Sequence, residues 1–367
     1  MKEKEKLHVV DGTNDILFSE CKFKSETESK IMKTFEKFGY FELQTPTFEH
    51  ASVFSEEESN DFYKLIDRNG SVLTLRPDMT TPIARVAATK LREHLPVRAS
   101  YLANVFRYQD TQKGGRQNEF TQAGIEFLGG DETKTAVKDA EIIAATIKAL
   151  IAVDIPVVVE LGDVNFVRGL LSDADLSDQK LDEISNLMTK KDTLAIEEIL
   201  LHEGAISGEI KELFIKLPTL FGDSAIIDEF LQKDFLPDTC KKALLNMKEI
   251  LRILSYYGYE KYVSVDLGMN KNMEYYTGMI FRIFTHNVGF PIAGGGRYDK
   301  LIEKFGQKLP ATGSAIYINR LLDGLISRIN LTPPVIDEKI SEIDIKTAIE
   351  KAQKLRKEGK IAVIQGE

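Results

Sequence analysis

The 367-residue chain is 43% apolar and 29% charged, enough to bury a sizeable core, and it has no low-complexity tract. A formal charge of −9 argues against nucleic acid as the main partner, although an acidic enzyme can carry a local basic face, and no basic stripe with interleaved aromatics occurs. There is no apolar run of roughly 18 residues to span a membrane, MKEKEKLHVVDG lacks the apolar centre of a secretion signal, and Cys21 and Cys240 read as free thiols of a reducing, cytoplasmic compartment. No Cys/His cluster has zinc-ligand spacing, so no metal is expected.

In chain order, Ser25-Glu26-Thr27-Glu28 has capping-box spacing. Ile31, Met32, Phe35 and Phe38 follow at helical intervals, and Gly39 is the predicted stop. Strand-like runs at 62–66 and 71–75 surround Asn69-Gly70, a hairpin signal. Strands are predicted near 98–107 and 120–127, then an amphipathic helix over 133–152 with Ala136, Ala140, Ile143, Ile147 and Leu150 on one face. A short β-branched strand covers 157–161. From about 172 to 257 the chain is rich in Leu, Ile, Glu and Lys and poor in strand signals, which predicts a helical insertion. Strand patterns return at 262–267 and 279–284, and AGGGRYDKL (293–301) reads by default as a tight turn. A closing helix is expected at 318–327, and Pro333-Pro334 marks a linker. The tail offers one helix (345–358) and one strand (361–364), too little for an independent core. Strands grouped in hairpins, without regular βαβ alternation, predict an α+β fold built on an antiparallel sheet. The expected domains are 1–325, a linker at 326–334, and a short α/β tail at 335–367.

Some segments can carry chemistry. In Leu75-Arg76-Pro77-Asp78-Met79-Thr80 an acid beside a hydroxyl, after a strand, can hold an ammonium group; an ordinary turn with an exposed Asp is the alternative. Arg107 and Arg116 flank a polar loop, where guanidinium groups suit phosphate oxygens. Gln122 and Glu126 lie four apart, so a strand places both on one face. Opposite Asp78 they would floor a polar pocket; scattered charges on a solvated face are the alternative. Tyr275-Tyr276-Thr277-Gly278 can wall an aromatic pocket or sit in a core. The glycines at 294–296 match neither a Walker nor a Rossmann loop.

The order and spacing of these segments are specific. Over about 12–325 the chain resembles the catalytic core of histidyl-tRNA synthetase, a class II synthetase fold. FGYFELQTPTFE (38–49) resembles motif 1, LTLRPDMTTP (73–82) the substrate loop, and YLANVFRYQDTQKGGRQNEFTQAGIEFLG (101–129) motif 2. KNMEYYTGMIF (271–281) resembles the histidine-specific segment, and AGGGRYDKL with ATGSAIYINRLL (311–322) resembles motif 3. The resemblance implies that Asp78 and Gln122 hold the histidine α-amino group, with Thr80 in the same loop. It implies that Glu126 and Tyr276 read the imidazole, with Tyr275 adjacent. Arg107, Arg116 and Arg320 match phosphate ligands, and here either bind a nucleotide or brace the loop.

Three departures lie on the adenylation side. Gln109 replaces a motif 2 glutamate, Lys271 an arginine of the histidine-specific segment, and Asn319 a glutamate beside Arg320. A lysine supplies a point charge and not a planar fork. The tail resembles the first helix and strand of an anticodon-binding domain, which at full size has roughly 100 residues. This pattern is similar to the synthetase-like regulatory subunits of ATP phosphoribosyltransferase, in histidine biosynthesis. That resemblance implies a non-catalytic chain that forms homodimers and, with a short catalytic subunit, a hetero-octamer. It would activate that subunit and convey feedback inhibition by free histidine, with no cofactor, no membrane and no tRNA. An active histidyl-tRNA synthetase, or another paralogue that binds tRNA or nucleotide, is the alternative.

Overall fold

The computed structural model describes residues 7–54, 61–108, 117–173, 176–201, 208–270, 275–329, 331–333, 335–341 and 344–365. The first helix of the described residues is α1 (Phe18–Lys37), whose Ile31 and Phe35 are fully buried. The helix begins a full turn and more before the predicted capping box. Ser25 lies inside it and its hydroxyl donates back to the Cys21 carbonyl at 3.1 Å, as an interior serine does. Gly39, at φ +80°, ends the helix as expected.

A nine-stranded sheet forms the centre, in the order β1-β5-β6-β12-β11-β10-β7-β9-β8. These are β1 (Phe41–Glu42), β5 (Val97–Phe106), β6 (Glu119–Leu128), β7 (Val158–Asp163), β8 (Phe221–Gly222), β9 (Val263–Asp266), β10 (Met279–Phe284), β11 (Ala293–Arg297) and β12 (Ala311–Tyr317). The middle is antiparallel as predicted, while β1 joins β5 and β7 joins β9 in parallel, so the sheet is mixed. The Asn69-Gly70 hairpin forms: β3 (Lys64–Ile66) pairs with β4 (Val72–Leu75), which also pairs with β2 (Phe48–His50) in a separate small sheet.

The glycine run is not a turn. Gly294, Gly295 and Gly296 are β11, in mid-sheet between β10 and β12. A Cβ on Gly296 would stand 2.5 Å from the Met279 carbonyl oxygen and 2.9 Å from the Tyr276 ring, so close neighbours, not chain reversal, require glycine there.

Alternation along β6 divides the molecule. Ala123, Ile125 and Phe127 face the large core, which they share with α1 and with α3 (Thr135–Ile151). Gln122, Gly124, Glu126 and Leu128 face the other way, toward α2 (Thr80–Ala88) and a core of Met79, Ile83, Ala87 and Tyr101. The stretch 172–257 is mostly helical among the described residues. It holds α5 (Asp178–Lys190), α6 (Thr193–Leu201), α7 (Gly208–Lys216), α8 (Ala225–Leu231) and α9 (Asp238–Tyr256), after α4 (Val164–Asp173). It also contributes β8, which pairs with β9 at the sheet's edge.

After β11 come α10 (Asp299–Glu303) and, past β12, α11 (Ile318–Ile326). The tail has one element beyond those expected. Strand β13 (Glu338–Ile340) runs parallel to β14 (Ala362–Ile364), with α12 (Ile345–Lys357) packed on the pair. Ile340, Ala348, Ala352 and Ala362 are its buried core. Cys21 is exposed and Cys240 buried, and neither forms a disulfide among the described residues.

Candidate functional site: a buried acid in an aromatic cavity

Side chains on the second face of β6 open into a cavity of about 1020 Å³. Asp78 and Thr80, Gln122 and Glu126, and Tyr275 and Tyr276, from three segments far apart in sequence, all line it. Glu126 is its floor, 1% exposed. One carboxylate oxygen accepts from the Thr80 hydroxyl at 2.8 Å, and the other accepts from the Tyr298 hydroxyl. Burial pushes this carboxyl up to about 8; the two hydroxyls pull it down less than that, and Asp78 adds to the rise. Directly across the ladder lies Gly313, where a Cβ would stand 1.6 Å from the Glu126 carboxylate.

Asp78 sits at the mouth of α2. Its carboxylate accepts from the Thr81 backbone N–H at 2.7 Å and from the Thr81 hydroxyl at 3.3 Å, the work of a helix N-cap. That fixes its orientation and leaves oxygen lone pairs for a ligand. Gln122 is 6% exposed, and its amide has no protein partner among the described residues. Tyr275 and Tyr276 meet edge to face at 4.9 Å, and Tyr275 stacks on Tyr298 at 5.6 Å. Burial raises all three phenols.

The tyrosines are held from behind. Arg297 grips Asp139 through Nε at 3.1 Å and a terminal nitrogen at 2.7 Å, and donates to Asp299 at 3.0 Å. Asp299 in turn accepts from the Thr277 hydroxyl, and the Thr277 N–H donates to the Arg297 carbonyl. The arginine of the GGGRYD run is thus a clamp on the tyrosine segment. Tyr298 and Gly313 escaped the sequence reading. Tyr298 belongs to the run read as a turn, and Gly313 carries no side chain to flag it.

Of the expected phosphate ligands, Arg107 and Arg320 are among the described residues. Arg107 lines the cavity while its Nε donates to the Pro77 carbonyl at 2.7 Å. Arg320 is not among the lining residues; it lies over the Tyr317 ring at 4.8 Å and donates to the Pro291 carbonyl. Asn319 accepts from the Thr121 N–H at 2.8 Å and donates to the Gln117 side chain, tying α11 to β6. Gln109, Arg116 and Lys271 lie outside the described residues.

Sheet, cavity and acid floor define a class II synthetase-like protein of the histidyl type. The family model described as Histidyl-tRNA synthetase matches residues 12–321. The regulatory subunit of ATP phosphoribosyltransferase from Acetivibrio thermocellus is 43% identical over 363 residues, 96% of this chain and 85% of that one. Its counterpart in Thermoanaerobacter pseudethanolicus is 39% identical, covering 97% and 93%. A crystal structure from Bacillus halodurans, titled as an ATP phosphoribosyltransferase regulatory subunit/histidyl-tRNA synthetase, superposes with a TM-score of 0.86 at 31% identity, covering 98% and 92%. Histidyl-tRNA synthetase from Nostoc shares the fold, with a TM-score of 0.80 at 20% identity. The chain belongs to the ATP phosphoribosyltransferase regulatory subunit family, within the histidyl-tRNA synthetase-like fold.

Proposed function

We propose that this chain regulates an ATP phosphoribosyltransferase without chemistry of its own: it activates a short catalytic subunit and conveys inhibition by free histidine. The observation that carries the reading is the cavity itself. A capped acid at its rim (Asp78), an amide without a protein partner (Gln122) and a buried acid among tyrosines (Glu126) match an amino acid that bears an ammonium and an imidazole. Support for a non-catalytic role comes from the other side: Asn319 stands where the synthetase pattern has an acid, and it ties α11 to β6. Residues 1–325 would form the sensor, joined by 326–334 to the tail at 335–367, in a homodimer that assembles with the catalytic chain into a hetero-octamer.

Histidine inhibits only if it binds two states of the assembly unequally, and the coupling must be reciprocal. The test is co-expression with a short catalytic chain. A co-eluting complex whose activity falls with histidine is expected, and Asp78→Ala should weaken histidine about 10- to 100-fold, the loss of one charged hydrogen-bond partner. A chain that elutes alone and leaves that activity untouched refutes the assignment. Histidine-dependent exchange of pyrophosphate into ATP by the purified chain restores the synthetase reading.

A further inference from the structure

We propose that Glu126 and the imidazole of a bound histidine hold one proton between them, so that histidine sensing is linked to proton uptake and release. This rests on the histidine reading above and adds to it the charge state that the pocket selects.

Titratable groups reach Glu126 from each element around it: Asp78 before α2, Tyr101 from β5, Tyr275 and Tyr276 from the segment before β10, and Tyr298 after β11. They are an acid and phenols. Arg107, Arg168, Lys300 and Lys304 line the same cavity, yet among the described residues no cation is one of the groups that act on the Glu126 carboxyl. A buried carboxylate without a countercharge is expensive, so burial drives the empty site toward the neutral acid even though the Thr80 and Tyr298 hydroxyls both donate to its oxygens. Its position up at about 8 agrees.

Histidine brings two basic groups of different kinds. The ammonium keeps its charge through the neutral range and suits Asp78, which is half-buried at the rim. The imidazole can shed its charge, and its flat ring suits the depth of the cavity beside the stacked Tyr275 and Tyr298 rings. There the pair is either an acid facing an imidazole or a carboxylate facing an imidazolium. Each arrangement holds one proton.

The proton balance follows. Below the free imidazole's value of about 6.5 both partners arrive protonated, and one proton leaves to solvent. Between that value and about 8, the Glu126 acid meets neutral imidazole and nothing is exchanged. Above about 8, carboxylate meets neutral imidazole and one proton is taken up. Affinity is therefore flat across the middle window and falls about tenfold per pH unit on either flank.

The experiment is calorimetry of the whole chain with L-histidine in paired buffers of different ionisation enthalpy, across both flanks. In alkali the ligand's ammonium also recovers a proton, alike in all variants, so the reading is a difference. Wild type should take up about one proton more than Glu126→Gln. Because the Tyr298 hydroxyl lowers the Glu126 carboxyl, Tyr298→Phe should move the onset of uptake to higher pH. This second variant keeps the test alive if the first does not fold. Histidine binding with equal uptake in wild type and Glu126→Gln, or with an unmoved onset in Tyr298→Phe, overturns the shared proton and leaves the histidine reading standing. No heat with histidine at any pH in wild type overturns the histidine reading itself.

Discussion

Replacing Glu126 by glutamine should make the empty protein more stable. The carboxyl is raised from 4.5 to about 8 by burial. A raised acid favours the folded state where it is protonated and penalises it where the unfolded chain can ionise. Stability is therefore highest below 4.5, declines as pH rises toward about 8, and is level beyond. At about 1.4 kcal/mol per unit, the full penalty is about 4–5 kcal/mol near pH 8 and about 1 kcal/mol near pH 5. Glutamine keeps the size and one acceptor but turns the Tyr298 hydroxyl from donor to acceptor, which costs about 1 kcal/mol. The net expectation is a gain of about 3 kcal/mol near pH 8, vanishing near pH 5, or roughly 4 °C in Tm. Thermal unfolding of both proteins, without histidine and at matched salt, checks this. A variant no more stable than wild type at pH 8, or one whose advantage is the same at both ends, refutes the reasoning.

Gly313→Ala places a methyl 1.6 Å from the Glu126 carboxylate and 2.7 Å from the Ile125 carbonyl. It should abolish histidine binding by calorimetry and lower stability by about 1–3 kcal/mol in denaturant unfolding. Asp139→Asn leaves Arg297 buried with half its charge partners and should cost about 3–5 kcal/mol. Histidine affinity should fall with it, because Arg297 and Asp299 hold Thr277 beside the tyrosine pair; unchanged affinity would show that the clamp supports only the fold.

Much of the site could be read from the sequence where periodicity carried the information. Gln122 and Glu126 share a face because a strand alternates, and β6 does alternate, with Ala123 and Ile125 in the opposite core. The β3–β4 hairpin followed from Asn-Gly, since Gly70 takes φ +82°. Misreadings arose where one local pattern serves two structures. A Ser-x-x-Glu spacing occurs inside a helix as well as at its start, and α1 is set by Ile31 and Phe35 packing, not by Ser25. A glycine run fits a turn or a strand pressed by neighbours. Only the register of β11 between β10 and β12 decides between them. Strand β13 is short, and two of its three residues are exposed, so no alternation signalled it.

On the proposed reading, the same buried acid would make the pocket both costly and selective. An aromatic cavity alone would accept phenylalanine nearly as well as histidine, since shape and apolar area discriminate weakly among planar side chains. A site built around a hydrogen-bonding group rejects a ligand that leaves that group unmatched by about 10⁴-fold or more. Glu126 supplies that group, and its partners cannot replace the ligand: Thr80 and Tyr298 offer hydroxyls but no charge. Without ligand the protein bears the penalty of an acid kept from water; a bound histidine would relieve it through its imidazole. A ring of the same size without a basic nitrogen would leave the penalty in place, so discrimination would come from the hydrogen bond that only the imidazole can complete. That places the selectivity in Glu126 and in the glycine opposite it, Gly313, whose missing side chain is what gives the carboxylate room.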